Sequence, residues 1–317
     1  MSIVPFDISP DANVLVVGAG GGCDFICGLP IVLELESCGH EVVIANYSFT
    51  DLYSVENGQR HNNNRLMEVT ADCALKSGDY FPEMHLAKWY RTRNMEKPIW
   101  CFPRLGVKPL LEAYNWIIDR FNIETVICVD GGVDGIFCGD EHELGTPSMD
   151  SISVIAASRC TAAQKVYVCT AFGTEGSEGK LSHAQVLNRM ADLIRKGAML
   201  GVSTIRNNDD IGRTFIEAVD FIFGQTSPIR RSIILSTIMA ALQGQYGRRS
   251  VHPKTEARPP WISPLTLLLW FFEAEQVAEM KLFYDEVLET STVIEVAEAI
   301  ERKRQEISVR GYESIPI

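Results

Sequence analysis

The stretch VLVVGAGGGCDF, Val14–Phe25, decides the fold. A short apolar run, Val14 to Val17, gives way to Gly18, Ala19, Gly20, Gly21 and Gly22, then Cys23 and Asp24. An apolar run bounded by turn residues reads as a buried strand. Beyond the glycines, Leu29, Ile31, Val32, Leu33 and Leu35 suit a helix, and Gly39 suits its C-terminal cap. Pro30 inside a helix would cost about 3 kcal/mol. The sequence therefore predicts a turn around Cys23–Gly28 and a regular helix from near Leu29. EVVIA, Glu41–Ala45, is the next strand, and strand–helix–strand implies a parallel pair joined by a crossover.

The alternation continues. Strands are expected at Pro98–Phe102, Thr125–Val129 and Lys165–Thr170, with helices at Lys108–Phe121 and Ser148–Ala157. The polar segment 47–97 reads as an excursion with one short strand and one helix. Past Phe172 the pattern is mostly helical: Ser182–Lys196, Asp210–Phe223, Pro228–Leu242, Glu273–Leu288 and Thr292–Ile307, with a strand at Thr266–Phe271. This predicts an α/β fold, a Rossmann-like open and mostly parallel sheet with a helix-rich C-terminal portion. One domain is expected over 1–317, with its core over about 12–205 and the helical portion over about 206–317.

Composition narrows the function classes. Of 317 residues, 41 are Asp or Glu and 29 are Lys or Arg, a formal net charge of −12. Nucleic acid and anionic membranes both need a basic footprint, so neither is an expected partner. The N-terminus MSIVPFDISPD lacks the basic and apolar regions of a secretory signal. The most apolar late stretch, Pro264–Phe272, is far shorter than the roughly 20 residues of a membrane span. A cytoplasmic location is the expectation, with a homo-oligomer left open. The nine cysteines contain no CxxC pair and read as reduced thiols serving as small hydrophobes, not as a zinc site.

A glycine loop between strand and helix favours an anionic ligand. Gly18 and Gly20 satisfy the start of the dinucleotide pattern GxGxxG, but Cys23 stands at its third glycine. Asn46 stands where the ribose-binding acid belongs. Gly18, Gly20 and Gly22 also fit the GxGxG loop that resembles S-adenosylmethionine-dependent enzymes, which likewise want an acid where Asn46 stands. No Gly-Lys-Ser/Thr follows for a P-loop. The expected ligand is a nucleotide or other anionic metabolite on Gly18, Gly20, Gly21 and Gly22, with Asn46 at the neighbouring strand tip. The plainer alternative is that the glycines only permit tight packing. Asp24 would repel an anion; it caps the helix, or meets a metal, a hydroxyl or an amine.

VDGGVDGIFCGDEHELGTPSMD, Val129–Asp150, is the more unusual segment. Acids interleaved with glycines can fold back and aim several carboxylates at one point. Asp130, Asp134 and Asp140 are the candidate catalytic acids, with Asp130 and Asp134 as candidate Mg²⁺ ligands. Gly131, Gly132, Glu141 and Thr146 are candidate ligand contacts, the alternative being a solvated turn capped by Thr146 or Ser148. A third loop, Thr170–His183, adds Gly173, Glu175, Glu178 and Lys180. His183 is a general base or a surface cap. Arg91, Arg93, Arg104, Arg230 and Arg231 are candidate anion clamps. The three glycine-acid loops are expected to share one pocket, because each follows an apolar strand. Crowded like charges cost folding energy, so asparagine at Asp130 or Asp134 is expected to leave stability unchanged or raise it.

The pairing of GAGGGCD with VDGGVDGIFCGDEHELGTP resembles a prokaryotic family of uncharacterised proteins, domain of unknown function eleven fifty-two. The likeness spans most of the chain, and the central segment is its most specific part. Cys23 stands where that family commonly has glycine. The resemblance implies one Rossmann-like unit and brings no established activity. The function expected from the loops is a small-molecule enzyme using carboxylates, with Mg²⁺, for hydrolysis or group transfer. A dinucleotide- or S-adenosylmethionine-dependent enzyme and a non-catalytic ligand sensor are the alternatives.

Overall fold

Val14, Leu15, Val16 and Val17 are fully buried, as a central strand covered on both faces requires. The computed structural model describes residues 2–76, 78, 80–175 and 181–315. Its strands are β1 (Asn13–Gly18), β2 (Val42–Tyr47), β3 (Val55–Glu56), β4 (Gln59–His61), β5 (Leu66–Val69), β6 (Ala74–Leu75), β7 (Ile99–Phe102), β8 (Ile123–Asp130), β9 (Gln164–Cys169), β10 (Met199–Thr204), β11 (Gly247–Arg248), β12 (Trp261–Ile262) and β13 (Leu268–Glu273). One sheet runs in the order β10, β13, β9, β8, β1, β2, β7, β5, β4, and β3–β6 and β11–β12 form separate ribbons. β1 pairs in parallel with both β2 and β8, β2 with β7, and β8 with β9. The margins are antiparallel: β13 against β9 and β10, β5 against β7 and β4. The fold is α/β with a Rossmann-like, mostly parallel sheet.

Two apolar layers sandwich the sheet. One holds side chains of the helices Val107–Phe121, Pro147–Arg159, His183–Arg195 and Val293–Glu306. The other holds those of Leu29–Ser37, Pro82–Thr92, Asp210–Gln225 and Ile233–Leu242. Pro30 is tolerated because it sits in the first turn of Leu29–Ser37, where its missing N–H has no intrahelical partner to lose. The preceding turn is a short helix, Asp24–Cys27.

The structure departs from the sequence reading in four places. The excursion carries four short strands, β3 to β6, besides the helix Pro82–Thr92. β10 is a strand that the reading did not contain; it is an edge, only partly buried, so its apolar pattern is weak. The helix expected over Glu273–Leu288 is broken into Ala274–Glu279 and Tyr284–Val287. The helix expected from Pro228 starts at Ile233, because the Ser232 hydroxyl accepts from Leu235 N and fixes the start there.

β1 lies between β8 on one side and β2 on the other, so the chain winds away from it in both directions. A sheet of this kind opens a crevice beyond the carboxyl ends of its strands where the winding reverses. Gly18 ends β1 and Asp130 ends β8, which places both loops at that crevice.

Candidate functional site

A cavity of about 480 Å³ occupies the crevice. Its lining includes Gly20, Gly21, Gly22 and Asp24 after β1, and Asp130, Gly131, Gly132 and Asp134 after β8. Thr146 and Asp150 come from the start of the helix Pro147–Arg159, and Thr174 and Glu175 from the loop after β9. The three glycine-acid loops therefore meet in one pocket. Glu178 and Lys180 lie outside the described residues.

Five carboxyl groups share this floor: Asp24, Asp130, Asp134, Asp150 and Glu175. The glycines around them are needed for space. A side chain on Gly20, Gly131, Gly132 or Gly145 would collide with the carboxylate of Asp150, Asp24, Glu175 or Asp134 respectively. Gly20 also holds a φ of +65°, a conformation that glycine adopts at little cost. Asp150 and Asp24 fill the space at Gly20, and the Phe49 ring lies against Gly21, so carboxylates and an aromatic ring crowd the loop that was expected to cradle an anion.

Asp130 is the most tightly held. Its Oδ1 accepts from Gly132 N at 2.8 Å, and its Oδ2 accepts from Gly135 N at 3.0 Å and from the Tyr167 hydroxyl at 2.6 Å. Asp134 Oδ2 accepts from Thr146 N at 2.7 Å. The Thr146 hydroxyl lies 2.8 Å from Asp150 Oδ2 and 3.3 Å from Asp134 Oδ2; its single proton serves one of them at a time. Glu175 Oε2 accepts from Val133 N at 2.8 Å, and a hydrogen bond joins its carboxyl to that of Asp134. Asp24 accepts from the backbone of Gly131 and Gly21.

Burial and mutual repulsion set the proton count. Burial, with the Asp134 charge second, pushes Asp130 up to about 7. Burial first, then the neighbouring carboxylates, holds Asp24, Asp150 and Glu175 well above the ordinary carboxyl range. The floor therefore holds its protons to higher pH than ordinary carboxyls do. Its cationic counterpart is Lys281, fully buried, whose Nζ donates to the carbonyls of Gly135 at 2.9 Å and Phe137 at 3.1 Å. Burial lowers its pKa.

Several expected site residues lie elsewhere. Asp140 pairs with Arg189 and does not line the cavity. Glu141, also absent from the lining, accepts from the amides of Cys138 and Gly139 and from Arg189 Nε at 2.5 Å. Asn46 is fully buried and donates to Gly22 O at 3.0 Å and Glu83 Oε1 at 2.8 Å, so it faces the interior. Gly18 is not in the lining of this cavity and abuts Asn46 and Phe25, and Gly173 packs on the Trp261 backbone. His183 sits 4.9 Å from the Phe172 ring, its pKa lowered by burial. Among the described residues, no group of three or more His, Cys, Asp or Glu side chains could hold a metal ion; the expected Mg²⁺ ligand Asp130 has both oxygens engaged by protein donors. Arg91 pairs with Asp72 and Glu96, and Arg93 with Glu217.

The sequence reading missed other lining residues, among them Phe49, Tyr80 and Lys254, and the Asp130 partner Tyr167. Arg104, Arg230 and Arg231, read as candidate anion clamps, do line the cavity. Asp150 was visible in the sequence, but its place in the first turn of a helix reads as a capping acid.

These features define a Rossmann-like α/β protein with a carboxyl-floored, cation-rimmed cavity at the switch point of its sheet. A family model described as a protein of unknown function, DUF1152, matches residues 15–308, and the chain belongs to that family. No curated protein and no solved structure matches it. No described helix is long and apolar enough to cross a membrane.

Proposed function

We propose that the chain is an enzyme acting on a small anionic metabolite, with the floor carboxyls supplying the acid and base of a hydrolysis or group transfer. The observation that carries this reading is the assembly of five carboxyls from three loops and a helix start on one cavity, with no ion pair from any of them to a described Lys, Arg or His. Crowding carboxyls costs folding energy, and such costs gather at functional sites. The cavity volume is within the range of small-molecule sites, roughly 300–1,000 Å³.

Division of labour follows from the partners. Asp130, fixed by three donors, is the carboxylate whose proton comes and goes near neutral pH, which suits a general base. Glu175 and Asp150, whose pKa values burial raises, suit proton donation. Asp134 bridges them through Thr146 and Glu175. The anionic part of the ligand belongs at the rim, where Arg104, Arg230, Arg231 and Lys254 line the opening, away from the acids that fill the glycine loop.

The test is thermal unfolding of wild type, Asp134→Asn and Asp150→Asn against a panel of small metabolites, followed by incubation with any compound that binds. Compounds that stabilise wild type, fail to stabilise the variants and are consumed support the reading. Equal stabilisation of all three proteins removes the floor from the site. Binding without turnover makes the protein a ligand sensor.

A further inference from the structure

Arg104, Arg231 and Lys254 reach the cavity from three separate parts of the chain: the segment after β7, the turn before the helix Ile233–Leu242, and the loop between β11 and β12. Among the described residues none of these three forms an ion pair, so their charge is open to a ligand, whereas Arg65, Arg91, Arg189, Arg206 and Arg213 are engaged by carboxylates. Two of the three are held in place by other means. The Arg104 guanidinium lies 5.7 Å over the Phe49 ring. Arg231 stacks 5.2 Å over Phe223 and donates Nε and Nη2 to the Phe223 carbonyl, leaving Nη1 uncommitted. The first turn of the ten-residue helix Ile233–Leu242 also lines this part of the cavity, and a helix N-terminus adds partial positive charge to the side-chain cations.

We propose that this rim is a phosphate subsite, and that the cavity takes a phosphorylated small molecule whose remaining hydroxyl or amine groups lie on the carboxyl floor; the second clause rests on the function proposed above. A carboxylate is planar and satisfied by one bidentate arginine. A phosphate is tetrahedral and dianionic, and it offers acceptor oxygens in three directions, which suits cations arriving from three segments. The floor adds the polarity that orients such a ligand. Its carboxyls hydrogen-bond to an amine or hydroxyl, and those that are ionised repel the phosphate, so the molecule enters with its phosphate outermost. Arg104 and Lys254 are exposed, and their side chains adjust to the ligand without disturbing the core.

The probe is inorganic phosphate, titrated at fixed ionic strength against potassium chloride, with calorimetry and thermal unfolding as readouts on the full chain. Wild type should bind phosphate saturably, with a rise in Tm that chloride does not reproduce. The double variant Arg104→Gln, Lys254→Gln should bind about a hundredfold more weakly, since each lost charged hydrogen bond is worth about a tenfold change. Its unchanged Tm without phosphate checks that it folds. Asp150→Asn, which alters the floor, should still bind phosphate. A wild-type response equal to chloride, or undiminished binding by the double variant, overturns the subsite. Such a failure is separable from failure of the function above. If panel compounds still stabilise wild type and not Asp150→Asn, only the rim assignment falls; if phosphate binds but every panel compound that stabilises wild type stabilises Asp150→Asn equally, only the floor assignment falls.

Discussion

The loop after β8 has two acid-and-glycine halves with opposite fates. Asp130 to Ile136 and Cys138 to Leu144 both mix acids with glycines. The first half turns Asp130 and Asp134 into the cavity, where no described Lys, Arg or His pairs with them. The second half turns Asp140 and Glu141 onto Arg189, a residue of the helix His183–Arg195. Arg304 then donates to the carbonyls of Gly139, Glu141 and His142. One distant arginine thus separates a structural acid from a site acid. Glycine-acid spacing does not carry that information.

The largest effect should come from removing that arginine. Arg189→Met leaves the fully buried Glu141 carboxylate without its cation. Breaking a buried pair by deleting one partner costs about 3–5 kcal/mol, and the loss should appear in the denaturant midpoint. Asp140→Asn, at the more exposed arm of the same pair, should cost about 1 kcal/mol or less and leave phosphate binding at the rim unchanged. If Arg189→Met is as stable as wild type, the second half of the loop is not held by this pair, and the contrast fails.

Asp130→Asn ranks next. The sequence reading expects asparagine there to be harmless, because it relieves repulsion. The geometry reverses that expectation: the amide nitrogen of asparagine would face an N–H or the Tyr167 hydroxyl in place of an acceptor oxygen. A loss of about 1–3 kcal/mol is expected. Tyr167→Phe, which removes one of the three donors, should cost about 1 kcal/mol. An Asp130→Asn protein more stable than wild type would show that repulsion outweighs the three hydrogen bonds.

Asp150→Asn should move stability little at neutral pH, by about 1 kcal/mol or less and upwards if at all, but it should change the pH profile. Unfolded carboxyls titrate near pH 4, whereas Asp130 titrates at about 7 and Asp24, Asp150 and Glu175 well above their ordinary range. Between those limits the folded chain binds more protons than the unfolded chain, so stability falls as pH rises. The decline begins near pH 4 and continues through about 7, and it should be shallower in Asp150→Asn. Urea unfolding at a series of pH values measures it. A wild-type stability that rises over this window would show that the floor carboxyls are ionised in the folded protein.

Much of the scaffold was legible because its central strands are covered on both faces. Such strands read as continuous apolar runs, and β1, β2, β7, β8 and β9 all do. The edge strand β10 alternates weakly and half faces solvent, and the breaks at residues 280–283 lack a proline or glycine to mark them. At the site, Asp24, Asp130, Asp134 and Glu175 were legible from their loops. Arg189 as partner of Asp140 and Glu141 was not, since 48 or more positions separate them and no spacing rule links them. Lys281 was hidden for a related reason: a lysine beside an amphipathic helix reads as solvated, and only the packed chain shows its ammonium capping the carbonyls of Gly135 and Phe137.

The smallest stability effect should be that of Glu175→Gln, and it sharpens the comparison most. Glu175 accepts from Val133 N and, when protonated, donates to Asp134. Glutamine preserves both roles: its carbonyl oxygen accepts from Val133 N, and its amide donates to Asp134. If Glu175 is a neutral acid in the folded protein, the exchange conserves charge as well as hydrogen bonding, and stability near pH 7 should stay within about 0.5 kcal/mol. The variant should differ from wild type only at higher pH, where the wild-type carboxyl ionises beside Asp134 and the amide does not. There Glu175→Gln becomes the more stable of the two, because a group with a raised folded pKa destabilises the chain once the pH passes its unfolded value. The same exchange at Glu141 gives the opposite sign: Arg189 loses its carboxylate, and the variant is less stable at every pH where Glu141 is charged. Two glutamates of one chain, both replaced by the same isostere, should thus diverge in urea unfolding curves taken near pH 7 and near pH 9. Parallel behaviour of the two would remove the distinction between a floor of protonated carboxyls and a clamp of paired ones.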